Sequence, residues 1–391
     1  MEQSRYEKRG VSSDKNEVHK AIKRLDHGLF KHSFCKVLPN PFSENEDDAI
    51  ILHADTAGTK TILAYLHWKE TGDLSVWKGI AQDALVMNLD DMACCGVTNE
   101  FVLSNTILRN KKLITGEVIE AVIEGTIEFI EKMKLYGVNI HHAGGETADV
   151  GDVVRTLDVG FTAFAQTTKS EVFENQIRGG DLILGLASHG QTSYENDYNS
   201  GIGCNGLTNA RHDVLNKEYA HLYPESFDSG IDSSLVYSGK YRMTDTYNLA
   251  GKTYSIGNLL LSPTRTYIPF LKELFRSKIS GLHGVIHCTG GAHSKVLKFV
   301  SGVHIIKDMM PLPAPIFEII KECSGNDDSE MYKVLNMGIR LEIYGNESAI
   351  GRASQIASQF SIQNQIIGRV ESTGDNNSVV TMCVNGKEWN Y

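Results

Sequence analysis

The run "AIILHADTAGTK" (49–60) constrains this chain more than any other stretch. "AIILHA" is short, apolar and partly β-branched, the signature of a buried strand. It delivers Asp55 at its carboxyl end, directly before a turn that holds a glycine, a hydroxyl and a lysine. In α/β proteins ligands collect at such strand ends. Gly58 permits a phosphate to approach the backbone, Thr59 offers a hydroxyl, and Lys60 supplies a cation for a phosphate oxygen. Asp55 suits magnesium, which binds through one or two carboxylates together with substrate phosphates. The nucleotide-binding pattern G-x-x-x-x-G-K-[ST] is absent, because its upstream glycine is missing. Taken alone, the stretch fits equally well a strand-to-helix turn capped by an aspartate.

Two later stretches repeat the theme of an acid in apolar surroundings. "LSVWKGIAQDALVMNLDDMACCGV" (74–97) has helical periodicity. Asp83 and Asp90, seven apart, share one face, while Asp91 falls on the apolar stripe with Met87 and Ala84. A carboxylate buried there needs a cation or donors. "GGETAD" (144–149) follows a strand, "NIHHAGG", so that Glu146 stands after a turn made by Gly144 and Gly145. His141 and His142, adjacent in that strand, point to opposite faces and read as structural. "TGEVIEAVIEGTIEFIEKMKLYGV" (115–138) is a second amphipathic helix, and "TLDVGFTAFA" (156–165) another strand.

A polar stretch near residue 167 marks a boundary, giving an N-terminal domain over 1–167 and a C-terminal domain over 168–391. The second half repeats the α/β mixture: a strand at 182–188, an Asn/Ser/Gly-rich loop at 189–206, a helix from about 262, "GVIHCTGG" (284–291), and strands at 337–344 and 378–384. An amphipathic patch, "EVHKAIKRLDHGLF", precedes all of these. The fold class is α/β (α+β), with mixed sheets covered by helices. "GIGCNG" (201–206) imitates a dinucleotide fingerprint but lacks the strand before it; it reads as a mobile lid, poor in apolar anchors.

Composition removes several classes. A formal net charge of −10 argues against nucleic-acid binding. Seven scattered cysteines without a C-x-x-C pair lack structural-zinc spacing, and Cys94 and Cys95 read as small core residues. No apolar run reaches membrane-spanning length. The expectation is a cytoplasmic protein.

In order, these motifs resemble the aminoimidazole ribonucleotide (AIR) synthetase family, the phosphoribosylformylglycinamidine cyclo-ligases. The family's D-G-V-G-T-K is similar to "DTAGTK" (55–60), and its G-G-E-T-A-E-M to "GGETADV" (144–150). A-P-T-R-x-Y is similar to "SPTRTY" (262–267), H-x-T-G-G-G to "HCTGGA" (287–292), and E-M-Y-x-x-F-N-x-G-V-G to "EMYKVLNMGIR" (330–340). "GIAQDALVMNLDDMACCGV" and "YEKRGVS" (6–12) also have counterparts. The resemblance implies a two-domain, homodimeric enzyme using ATP and Mg2+. Its reaction would cyclise formylglycinamidine ribonucleotide to 5-aminoimidazole ribonucleotide and release ADP and phosphate.

Carried over by position, Asp55, Asp91 and Glu146 would hold the metal. Gly58, Thr59, Lys60, Gly144, Gly145 and Thr147 would line the nucleotide site beside them. Asn205, Gly206, Arg265, Thr289, Gly290 and Gly291 would face the substrate, a phosphorylated ribonucleotide. Lys60 and His287 would be catalytic, His287 handling the ring-closure proton, although a core histidine fits its sequence equally. The chain departs from the pattern at Thr56 and Ala292, which replace glycines, at Asp90, which replaces asparagine, and at Arg340, which replaces glycine. Thr56 is expected at negative φ, since β-branched residues avoid the left-handed region. The family's P-H-S-N-G loop is expanded into residues 189–206. Two other readings stay open: an ATP-dependent kinase or synthetase acting on another small substrate, and a catalytically silent nucleotide-binding regulator.

Overall fold

Two sheets with no strand in common divide the chain. The computed structural model describes residues 5–11, 21, 26, 28–249 and 251–391; most of the amphipathic patch around residues 17–27 lies outside them. The first sheet holds β1 (Val37–Pro39), β2 (Asp48–Thr56), β3 (Phe101–Arg109), β4 (Ile140–Asp149) and β5 (Leu157–Thr168), in the order β1-β2-β5-β3-β4. β3 and β4 run parallel, joined through the helix Gly116–Lys134, and the other pairs are antiparallel. One face carries the helix Val76–Ala93, on which Gly116–Lys134 packs in turn. That crossing is tight: a Cβ on Gly125 would stand 2.5 Å from Lys78 Cα.

From Asp83 to Cys95 every residue of this stretch is buried. A helix enclosed on all sides belongs to a core, so its three acids are internal groups that need partners. The opposite face of the sheet is open. Leu52 pairs with Phe164, which pairs with Val102, and Leu52 and Val102 are exposed.

The second sheet has the order β14-β13-β10-β12-β6-β11-β9. Its strands are β6 (Leu182–Ala187), β9 (Leu282–His287), β10 (Val303–Lys307), β11 (Ile339–Gly345), β12 (Asn364–Ser372), β13 (Val379–Val384) and β14 (Lys387–Asn390); β7 and β8 form a separate hairpin, Thr246–Leu249 and Lys252–Ser255. The helix Glu347–Gln359 covers β6, β11 and β12. β11 is buried along its whole length although it carries Arg340 and Glu342. Glu342 is neutralised by Lys307, at 2.5 Å.

Two local expectations need correction. No helix begins at 262: one ends at Leu261, the next starts at Ile268, and "SPTRTY" runs between them as a loop. Its polar backbone is taken up by the acids of the helix Val76–Ala93, described below. Gly144 and Gly145 do not end their strand. They form a β-bulge inside β4, where the register steps between Leu103↔His142 and Asn105↔Gly145. Gly144 takes φ 89, and a Cβ on Gly145 would stand 2.1 Å from the Asn105 carbonyl oxygen.

Candidate functional site

Asp91 is the centre of a polar cluster where the two halves meet. His287, at the end of β9, brings its Nδ1 within 2.6 Å of Asp91 Oδ1. His53, two residues before Asp55 in β2, has Nε2 at 3.6 Å from Asp91 Oδ2. Asn88, one helical turn earlier, accepts from His53 Nδ1 at 3.0 Å and donates to the Asp55 carbonyl at 3.2 Å. One face of the helix thus ties the end of β2 to the end of β9.

The electrostatics are asymmetric. Burial opposes the charge of Asp91, but the Lys295 ammonium and the His287 hydrogen bond outweigh it and hold the carboxyl at about 2. His287 is driven the other way, to about 4, by burial and by the Arg340 charge, against the attraction of Asp91. At neutral pH this is an ionised carboxylate accepting from a neutral imidazole whose proton sits on Nδ1. The lone pair of His287 Nε2 then has no partner among the described residues. Asp55 stands at the open strand end, its Oδ1 accepting from the Thr56 N–H at 2.7 Å. Dehydration in the cleft raises its pKa, the Thr56 N–H opposes this, and the Asp91 charge adds to it.

Several predicted site residues serve the architecture instead. Lys60 is fully buried and turned inward, its Nζ donating to Asp83 at 2.9 Å and to the Ser262 carbonyl at 2.6 Å. A buried Asp83 needs a cation, and Lys60, turned inward, provides it. Asp83 also accepts from the Thr264 N–H at 2.7 Å, and Asp90 accepts from the Thr266 hydroxyl and the Tyr267 N–H at 2.6 and 2.9 Å. The two acids that share a helix face therefore hold Thr264, Thr266 and Tyr267 of "SPTRTY". Arg265 is not open to substrate either. Its guanidinium is spent on Glu195 and on the carbonyls of Ala187 and His189.

That ion pair also corrects the lid. Residues 189–206 are anchored, not loose: Tyr194 is buried and donates to the Thr266 carbonyl at 2.7 Å, Asn199 pairs with Gly190, and Ser200 and Ile202 are buried. Composition suggested few anchors, but a buried arginine and one tyrosine suffice.

Thr59, Asn205, Gly206, Thr289, Gly290 and Gly291 do come together around the junction. The Thr59 hydroxyl meets that of Thr208 at 2.9 Å. Gly206, φ 78, starts the helix Leu207–Val214 where a Cβ would strike Leu335. Asn205 Nδ2 lies 3.9 Å from the place of a Cβ on Gly290. Gly291 and Ala292 both take left-handed φ, 91 and 42, a region that favours glycine and that alanine occupies here at the position where the resembled pattern has a third glycine. Gly58 is left-handed too, φ 58, as its turn demands.

Glu146 and Thr147 are elsewhere. Glu146 lies opposite Thr106, in the row that continues through Gly160 to Thr56. Side chains alternate along β2, so Asp55 faces the other side of the sheet, and Glu146 is three strands away, roughly 14 Å at the usual strand spacing. One chain does not assemble Asp55, Asp91 and Glu146 as a metal triad. Asp55 and Asp91 alone fit a divalent cation: both are hard oxygen donors, and Asp91 is ionised. Among the described residues the group of three possible ligands within 4.8 Å is Cys288, His293 and Glu342. Its charge is already balanced by Lys307.

Sequence reasoning passed over His53, Phe34 and Lys295. His53 carried a signal, since it shares a strand face with Asp55. Lys295 carried a weaker one, a lysine four residues after Gly291. Phe34 carried none.

Residues 35–167 match the family described as AIR synthase related protein, N-terminal domain. The phosphoribosylformylglycinamidine cyclo-ligase of Methanocaldococcus jannaschii is 28% identical over 83% of this chain and 79% of its own length. The cyclo-ligase of Saccharolobus solfataricus is 29% identical over 76% and 72%. Among solved structures, phosphoribosylformylglycinamidine synthase II from Thermotoga maritima superposes with a TM-score of 0.55 at 11% identity, over 99% of this chain and 50% of that one. T. maritima PurL complexed with ATP gives 0.51 at 12%, over 95% and 47%. The chain spans about half the length of those two neighbours, and the likeness to them is one of fold. Among the described residues, no helix is long and apolar enough to cross a membrane.

Proposed function

We propose that the chain is an ATP-dependent cyclo-ligase of purine biosynthesis, a reading supported by the match of residues 35–167 to the AIR synthase related N-terminal domain and by the similarity to cyclo-ligases over most of the chain. It converts formylglycinamidine ribonucleotide to 5-aminoimidazole ribonucleotide with release of ADP and phosphate. The observation that carries the reading is the Asp91–His287 pair at the junction of the halves, with a buried imidazole nitrogen left free. Transfer of the terminal phosphoryl group of ATP to the amide oxygen makes that oxygen a leaving group. The substrate's own amine then closes the ring, and phosphate departs with the oxygen.

His287 Nε2 is the site that takes the amine's proton, and Asp91 fixes its tautomer. Mg2+ fits Asp55 and Asp91 and would supply charge neutralisation for the phosphates. The Gly58 turn and the contact of Asn205 with Gly290 would help position the two substrates, which is most of what such a reaction requires.

The chain works as a homodimer in this proposal. The apolar, partly exposed row Leu52–Phe164–Val102 and the unpaired edge strand β4 are surfaces that a second copy would cover. The division at residue 167 is part of the same reading, and the protein acts in the cytoplasm. A kinase or synthetase acting on another small substrate is the second reading, favoured by the expanded 189–206 segment. One assay separates them. The purified chain, mixed with Mg-ATP, should release ADP with formylglycinamidine ribonucleotide and not with thiamine monophosphate. ADP release with thiamine monophosphate alone, or with neither, would overturn the proposal.

A further inference from the structure

The cation that "DTAGTK" was expected to place beside a phosphate is already engaged, because Lys60 is closed inside an ion pair with Asp83. A site with two carboxylates and an anionic nucleotide gains from a fixed positive charge on the protein beside any bound cation, because that charge forms directional hydrogen bonds with phosphoryl oxygens. Lys295 is the side chain placed to provide it. It stands in the short 3-10 segment Ala292–Lys298, immediately after the Gly290–Gly291 turn. Its ammonium bonds the Thr289 hydroxyl and lies 4.4 Å above the ring of Phe34. Phe34 in turn borders His287, with ring centroids 6.4 Å apart, and His287 holds Asp91.

Lys295 is half-buried, and among the described residues it has no carboxylate in ion-pair contact, although its charge is felt at both Asp55 and Asp91. An ammonium kept in position by a hydroxyl and a ring face, without an anion of its own, is arranged to receive one. Lys307 and Lys60, the neighbouring buried lysines, are both neutralised by acids and offer nothing comparable.

We propose that Lys295 is the phosphate-binding cation of this site, donating to phosphoryl oxygens of a ligand that spans Asp55, Thr289 and the Gly290–Gly291 turn. Two ligands bring that chemistry: the terminal phosphate of the nucleotide and the monophosphate of the ribonucleotide. The inference rests on the ATP-dependent reading above, but its test does not need turnover.

Calorimetric titration of the full chain with Mg-AMP-PNP, Mg-ADP and formylglycinamidine ribonucleotide, in wild type, Lys295→Gln and Lys295→Arg, decides it. A lost charge-assisted hydrogen bond should weaken the affected ligand by about tenfold or more, with arginine restoring part of the loss and the melting temperature unchanged. Weakening of AMP-PNP with ADP spared assigns Lys295 to the terminal phosphate. Weakening of the ribonucleotide alone assigns it to the monophosphate. Affinities of the glutamine variant within about twofold of wild type for all three ligands, or no binding of any of them by wild type, overturn the proposal. Wild type that binds AMP-PNP yet does not turn over the ribonucleotide would defeat the cyclo-ligase reading and leave Lys295 standing.

Discussion

His287 is fully buried, and it ties acid stability to the chemistry of the site. Its folded pKa, about 4, lies below the ordinary histidine value of 6.5. A depressed pKa contributes stability that is complete above the unfolded value and is lost as pH falls through the folded one. Between pH 6.5 and 4 the unfolded chain binds a proton that the folded imidazole refuses, at a cost of roughly 3 kcal/mol over the window. Urea melts at pH 7.5 and 4.5 should show this loss in wild type and a smaller one in His287→Gln. An equal loss in both would place the acid sensitivity elsewhere. Thr56 makes a second case. It is absent from the residues at positive φ, and its hydroxyl accepts from the Gly58 N–H at 3.0 Å. Thr56→Gly should therefore destabilise by about 1 kcal/mol through unfolded-chain entropy and the lost contact; a higher-melting glycine variant would show that threonine is strained there. Asp90 and Arg340, the two charged departures from the family pattern, are both buried, and Arg340 pulls down a carboxyl that burial still pushes up to about 7. Each introduced charge partly offsets the other.

At the scale of elements, the expanded segment 189–206 behaves as a wall. Arg265 is nearly inaccessible, and Glu195 neutralises it while also accepting from the Thr192 N–H and Asn199. Amide exchange over 190–202 should consequently be slow in the free protein. Glu195→Ala leaves a buried guanidinium without its carboxylate, which should cost roughly 3–5 kcal/mol and speed exchange across the segment. Fast exchange already present in wild type would restore the lid. The composition of the segment, rich in Asn, Ser and Gly, hid this, because its anchors lie in "SPTRTY", some seventy positions away. The glycine pair 144–145 misled for a similar reason: a turn and a bulge both want glycine, and register with β3 makes the difference.

For the whole molecule, the open question posed by the first sheet is what covers its helix-free face. Leu52 is 61% exposed at one end of the apolar row that continues through Phe164 to Val102. Light scattering at micromolar concentration should give twice the chain mass, and Leu52→Glu should shift it toward one chain by setting charges opposite each other across a two-fold axis. A monomeric wild type would remove the dimer and leave Glu146, three strands from Asp55, with no route to the nucleotide.

The sequence by itself determined the class of fold, the strand that ends on Asp55, the enclosed helix with its acids, and the ordered motifs that resemble those of the cyclo-ligases. These are local patterns: hydrophobic period, glycine turns and the spacing of acids along one helix face. It could not decide which acid is structural and which chemical. Asp83, Asp90 and Asp91 look alike along the chain, yet the first receives Lys60, the second holds the Tyr267 amide, and the third orients His287. Those partners come from residues up to 196 positions apart. Only tertiary packing brings them together, because a buried charge is satisfied by whatever the fold sets beside it.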